Sequence, residues 1–118
     1  NRALIGEELS DLSRAESQYR GAIEADPGFG YAYSNLGYLL MDLGRLDDAA
    51  AVLQRGLEII GPGDDARPYL LRTSGRLALR RGDGDRALGF LESAREGLPQ
   101  ETWPELDSLI TEARALQD

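Results

Sequence analysis

Apolar residues recur through the middle of the chain at helical spacing. Tyr33, Leu36, Gly37 and Leu40 stand at i, i+3, i+4 and i+7, which predicts one face of an α-helix. Gly44 follows as its C-terminal stop. A second apolar stripe, Leu46, Ala49, Ala50, Leu53 and Leu57, ends at Gly61-Pro62-Gly63, a strong chain breaker. Two helices this close in sequence pack as antiparallel neighbours.

The pattern repeats. Ser10, Gly44 and Gly82 align, as do Ala15, Ala49 and Ala87, and Pro27, Gly61 and Pro99, with steps of 34 and then 38 residues. A 34-residue period with a small residue between two helix-like halves predicts an α-solenoid of helical hairpins. Such a unit cannot bury its apolar face alone and stacks on its neighbours. Function is then expected on the surface of the stack rather than in a catalytic cleft.

Repeat three carries Leu71, Ser74, Gly75, Ala78, Gly82, Ala87, Leu91, Ala94 and Pro99. Gly84 stands where repeat two has Leu46, so packing at that turn is expected to be weaker. The four extra residues fall around residues 61–65 and predict a longer loop, with Asp64 or Asp65 capping the next helix and Pro68 in its first turn. In repeat one the second helix is complete through Leu12, Ala15, Tyr19, Ala22 and Ile23, closing at Asp26-Pro27. Its first helix is truncated, with only Ala3, Gly6 and Leu9 remaining. A last helix over residues 102–117 presents Leu106, Leu109, Ile110, Ala113 and Leu116 on one face.

These residues resemble the tetratricopeptide repeat (TPR), whose pattern is Trp-x2-Leu-Gly-x2-Tyr, then Ala-x3-Phe, then Pro. Here it reads Tyr33-x2-Leu36-Gly37-x2-Leu40, Ala49-x3-Leu53 and Gly61 beside Pro62. The turn from Leu43 to Ala49 is similar as well. The resemblance implies an all-α, right-handed TPR superhelix of about three helical hairpins plus a C-terminal capping helix. The repeats would cover residues 1–27 (truncated), 28–61 and 66–99, in a single domain over 1–118. In the final helix Trp103, Leu106 and Ile110 resemble a first repeat helix, but Asp107 replaces the small residue. A carboxylate there would block a closely packed partner, as suits the end of a stack.

Composition narrows the function. The 118 residues contain no Cys and no His, which removes thiolate chemistry, the commonest metal ligand and the commonest general base. No cofactor, no metal and no enzymatic activity are expected. Adjacent carboxylates such as Asp47-Asp48 and Glu7-Glu8 point to different parts of a helix surface, and Gly82-Asp83-Gly84-Asp85 lacks the ligand set of a calcium loop. A net charge of −8, from 21 acidic and 13 basic residues, disfavours nucleic acid and anionic membranes. All 13 basic residues are Arg, as a GC-rich coding bias or a high-salt habitat would produce. No apolar run reaches bilayer length. The chain begins at Asn1 without Met, so a cytoplasmic location is only the default and an upstream targeting segment stays open.

The resemblance also implies where ligands bind, since the first helix of each pair lines the concave side in the family. Tyr31, Ser34, Tyr38, Met41 and Asp42 are then left for that side in repeat two. Tyr69, Arg72, Arg76, Leu79 and Arg80 are left in repeat three, and Leu4, Glu7 and Glu8 in repeat one. Arg72, Arg76 and Arg80 form a basic stripe at i, i+4, i+8, out of character for so acidic a chain. Arg grips carboxylates and Tyr offers rigid contact area. Asn35 matches the Asn with which peptide-binding members hold a ligand backbone. Their carboxylate clamp also needs a Lys, which this chain lacks. The expectation is a scaffold or adaptor that binds a protein or peptide segment, an acidic one, at Tyr31, Ser34, Asn35, Tyr38, Tyr69, Arg72, Arg76 and Arg80. In that case the three arginines should lack internal partners. The opposing reading pairs them with nearby carboxylates on a solvated face. Two alternatives are a structural segment of a longer array, self-associating weakly through an apolar N-terminal face at Ala3, Leu4 and the helix over 12–25, and a recognition appendage of an enzyme elsewhere in a longer chain.

Overall fold

The computed structural model describes the backbone of residues 6–117 and the side chains of residues 9–117. Six α-helices follow one another among the described residues: α1 (Gly6–Ala25), α2 (Gly30–Asp42), α3 (Leu46–Ile59), α4 (Arg67–Arg80), α5 (Gly84–Gly97) and α6 (Trp103–Ala115). A short 3-10 turn, Gln100–Thr102, precedes α6. The helices stack in order: α2 packs on α1, α3 and α4, α5 packs on α4, and α6 packs on α5. This is an all-α solenoid of stacked helical hairpins.

The hairpin turns after α2 and α4 share one geometry. Gly44 and Gly82 adopt φ of 78° and 75°, a left-handed conformation that Gly takes at no steric cost. The Gly44 and Arg45 amides donate to Met41 and Leu40 carbonyls, and the Gly82 and Asp83 amides donate to Leu79 and Ala78. Both are Schellman caps. Inside the hairpins, a Cβ on Gly37 would lie 2.5 Å from Leu53, and one on Gly75 would lie 2.7 Å from Leu91. Only glycine allows the paired helices to approach this closely.

The core has two connected parts. One gathers Tyr33, Leu36, Leu39, Leu40 and Met41 of α2 with Ala49 and Leu53 of α3 and Leu70 and Leu77 of α4. The other gathers Ala78, Ala87, Leu91, Ala94, Leu106, Ile110 and Ala113. Helix α4 therefore serves both, and its buried set of Leu70, Thr73, Ser74, Gly75, Leu77 and Ala78 is wider than one repeat-matched stripe.

Three expectations require correction. The turn at Ser10 does not form, because α1 runs unbroken from Gly6 to Ala25. Gly44 and Gly82 reach positive φ where Ser10 would be strained, so Gly6 and Leu9 extend the second helix of repeat one. Ala3 and Leu4 lie outside the described residues. Second, Gly84 leaves no hollow. A Cβ there would stand 2.5 Å from the Ala113 carbonyl oxygen and 2.8 Å from Leu116 Cβ, so the end of α6 occupies the space that Leu46 fills one repeat earlier. Third, no side chain caps α4. Asp64 Oδ1 instead accepts from the Ala66 amide at 2.8 Å, closing the turn just before it.

Helix α6 is held by more than apolar contact. Trp103 Nε1 donates to the carbonyls of Arg95 and Leu98 at 3.0 and 3.2 Å. The Arg95 guanidinium lies 3.9 Å from the Trp103 ring centroid and donates to Asp107 at 2.7 Å. Asp107 thus stays at the surface and ties α6 to α5.

Candidate functional site

Helices α2 and α4 lie side by side, and their outward positions create one strip. On α2 these are Tyr31, Asn35, Tyr38 and Asp42, all exposed, and on α4 they include Tyr69, Arg72, Arg76 and Arg80. Spacings of three and four residues keep each set on one side of its helix.

Aromatic contacts join the two helices. The Phe29 and Tyr31 rings meet edge to face at 5.9 Å, and Tyr31 and Tyr69 meet at 5.5 Å. The Arg72 guanidinium lies 5.2 Å from the Tyr69 ring, and that of Arg76 lies 5.9 Å from the Tyr38 ring. Phe29, Tyr31 and Tyr38 are nevertheless 47%, 38% and 46% exposed. Partial desolvation pushes the Tyr31 phenol above its ordinary pKa, helped by the nearby Tyr69 phenol and the Asp65 and Asp64 carboxylates. It remains a neutral hydrogen-bond donor.

The arginines differ in their engagements. Arg72 makes no ion pair among the described residues and stacks on Tyr69. Arg76 pairs with Glu105 of α6. Arg80 donates to the Met41 carbonyl at 2.8 Å. The expectation of three arginines lacking internal partners therefore fails for Arg76 and Arg80. Among the described residues they engage Glu105 and the Met41 main-chain oxygen rather than Asp42, and Glu7 and Glu8 have side chains outside the described residues.

Ser34 does not belong to the strip. It is 7% exposed, its hydroxyl lies 2.9 Å from that of Thr73, and it also donates to the Tyr69 carbonyl at 3.3 Å. The two hydroxyls satisfy each other where α2 and α4 cross, as buried polar groups must. Met41 is likewise buried, at 4%, and Leu79 packs on the second core cluster. Sequence reasoning missed Phe29, Thr73 and Glu105. An apolar residue two positions before Tyr31 was a signal for Phe29. The partners of Ser34 and Arg76, 39 and 29 residues away, left none.

The terminal helix α1 turns Ser10, Asp11, Ser13, Arg14, Ser17, Gln18 and Glu24 outward, while Leu12, Ala15, Tyr19 and Ile23 pack on the core. Among the side chains described there, Leu9 is the one large exposed apolar group, at 45%. Glu16 anchors the hairpin turn to α1 by accepting from Arg45 at 2.7 Å and from Arg20 at 3.0 Å. The Arg45 hydrogen bond lowers the Glu16 pKa and raises that of Arg45. Asp48 and Asp47 pair with Arg45 and Arg81 respectively. No helix among the described residues is long and apolar enough to cross a membrane.

Stacked antiparallel hairpins define a helical-repeat solenoid. Tetratricopeptide repeat family models match residues 2–65 and 68–93. The chain belongs to the tetratricopeptide repeat family, whose repeats generally mediate protein–protein interaction. It is also 36% identical over 59 residues to the small glutamine-rich tetratricopeptide repeat-containing protein 2 of Mycosarcoma maydis. That match takes in 50% of this chain and 17% of the relative.

Proposed function

We propose that the α2–α4 strip is the concave binding surface of a non-catalytic adaptor, and that it takes an extended, acidic protein segment. The observation behind this reading is the continuous ladder from exposed Phe29 and Tyr31 through half-buried Tyr69 to Arg72, with Tyr38 and Arg76 beside it. Aromatic rings supply rigid contact area at low entropic cost. Asn35, exposed between Tyr31 and Tyr38, bonds the ligand backbone in this reading. Arg72 meets a ligand carboxylate directly, whereas Arg76 first exchanges Glu105 for it. Ser34 has no part in this surface. Among the described side chains of α1, Leu9 is the one large apolar group exposed, which gives self-association through this helix little support.

The test is selection from a random peptide library, followed by titration of the recovered peptides. Acidic peptides are expected, with modest and salt-sensitive affinity. Replacing Arg72, Arg76 and Arg80 together by Ala should leave the helices intact and weaken binding about tenfold, or about 1.4 kcal/mol. Unchanged affinity in a folded triple variant would overturn the reading.

A further inference from the structure

We propose that Glu105, on the last helix α6, is an internal competitor for the interaction strip. It takes at Arg76 the place of a ligand carboxylate and so holds down the affinity of the strip for acidic segments. This inference rests on the α2–α4 strip being the binding surface, and it names the residue that regulates it.

Arg72 and Arg76 stand one turn apart on the outward side of α4, about 6 Å along the helix axis. Their surroundings differ. Arg72 stacks on Tyr69 and makes no ion pair among the described residues. Arg76 is paired with Glu105, 29 residues further along the chain and in a helix outside the strip. Asp107, two residues on in the same helix, is held by Arg95 of α5 instead. Helix α4 therefore carries one open guanidinium and one masked guanidinium, and α6 supplies the mask.

The pair is asymmetric. The Arg76 side chain is 27% exposed and that of Glu105 is 52% exposed. The Arg76 guanidinium also lies 5.9 Å from the Tyr38 ring, so it keeps a contact in the strip when the carboxylate leaves. Glu105 stands in the first turn of α6, where the helix N-terminus favours a carboxylate. Released from Arg76, it turns to solvent while that favourable field remains. An exposed pair of this kind shifts an equilibrium only a few-fold, enough to bias the strip without closing it.

The mask also sets which acidic segments gain most from its removal. A segment with one carboxylate meets Arg72 and leaves Arg76 with Glu105. In an extended segment, alternate side chains share a face and lie about 6.6–6.8 Å apart, close to the one-turn spacing of the two arginines. A segment with acidic residues at alternate positions therefore reaches both, and its second carboxylate must displace Glu105.

The test is a titration of the whole chain, at fixed salt, with a capped octapeptide of four Glu-Thr repeats, followed on the Tyr31 and Tyr38 ring resonances. Glu105→Gln should bind it about two- to fivefold more tightly than the wild type. In an Arg76→Ala background the same substitution should change affinity less than about 1.5-fold. A control octapeptide of two Glu-Thr-Gln-Thr repeats, which lacks carboxylates at alternate positions, should gain equally little. Arg72→Ala should weaken binding both in the wild type and beside Glu105→Gln. Equal affinity of the wild type and Glu105→Gln, with Arg72→Ala still weakening both, would overturn the competitor and leave the strip standing. An equal gain with and without Arg76 would reduce Glu105 to a general charge effect and overturn it as well. No saturable shift in either protein, or binding indifferent to Arg72→Ala, would overturn the strip itself and the competitor with it.

Discussion

The α2–α3 and α4–α5 hairpins share a backbone and differ in what fills it. Both turn on a glycine at positive φ, Gly44 and Gly82. Both press a leucine, Leu53 or Leu91, against a glycine, Gly37 or Gly75. Yet the first hairpin buries Leu36 and Leu40 where the second has Ser74 and Ala78. At the start of the second helix, Leu46 in one hairpin becomes Gly84 in the other. The comparison teaches that cap and close-approach positions maintain a repeat, while the volume around them can be reassigned. Around Ser74 it is left as a gap between α3 and α5, and around Gly84 it is given to another helix.

The sharpest way to break the comparison is to carry the third repeat's residue into the second. Leu36→Ser should cost about 3–5 kcal/mol, since it removes a fully buried side chain and adds an unpartnered hydroxyl. Chemical denaturation measures this. A cost below about 1 kcal/mol would mean that α2 tolerates the same opening as α4.

The reverse exchange at the turn should fail for a different reason. Gly84→Leu follows the sequence pattern of repeat two but collides with the Ala113 carbonyl and Leu116. A loss of about 1–3 kcal/mol is expected, with α6 amides exchanging faster with deuterium. A gain in stability would show that Gly84 is an unfilled site after all.

The smallest effect concerns the link from α1 to the α2–α3 turn. The Glu16 pKa is lowered by Arg45, so its stabilisation is complete above the ordinary carboxylate value and disappears as pH falls through the lowered folded value. Arg45 stays protonated throughout. Glu16→Gln should therefore cost about 0.5–1 kcal/mol at neutral pH and flatten the acid side of the stability curve. An unchanged acid limb would remove the pair from the stability of this end.

Most of the fold was legible because the signals that define it are local. The 3.6-residue spacing of Tyr33, Leu36 and Leu40 requires only that one face be buried. Gly44 and Gly82 stop helices through their own φ, and the 34-residue step fixes a hairpin as the unit. Much of the candidate strip was legible for the same reason. Tyr31, Asn35, Tyr38 and Arg72 are polar or amphipathic residues left over when one helix face is committed to the core.

What the sequence could not decide depended on neighbours distant along the chain. Ser34 reads as a surface residue until Thr73 is brought to its hydroxyl, because a buried hydroxyl is acceptable only with a partner. Arg76 reads as open to a ligand until Glu105 of α6 arrives beside it. Ser10 aligns with two turn glycines, yet it lacks their conformational freedom, and α1 continues through it. Gly84 reads as a missing leucine until the end of α6 occupies its space. Periodicity by itself determines which residues share a helix face. Only the packed structure decides what that face meets, because packing brings together side chains that no local rule connects.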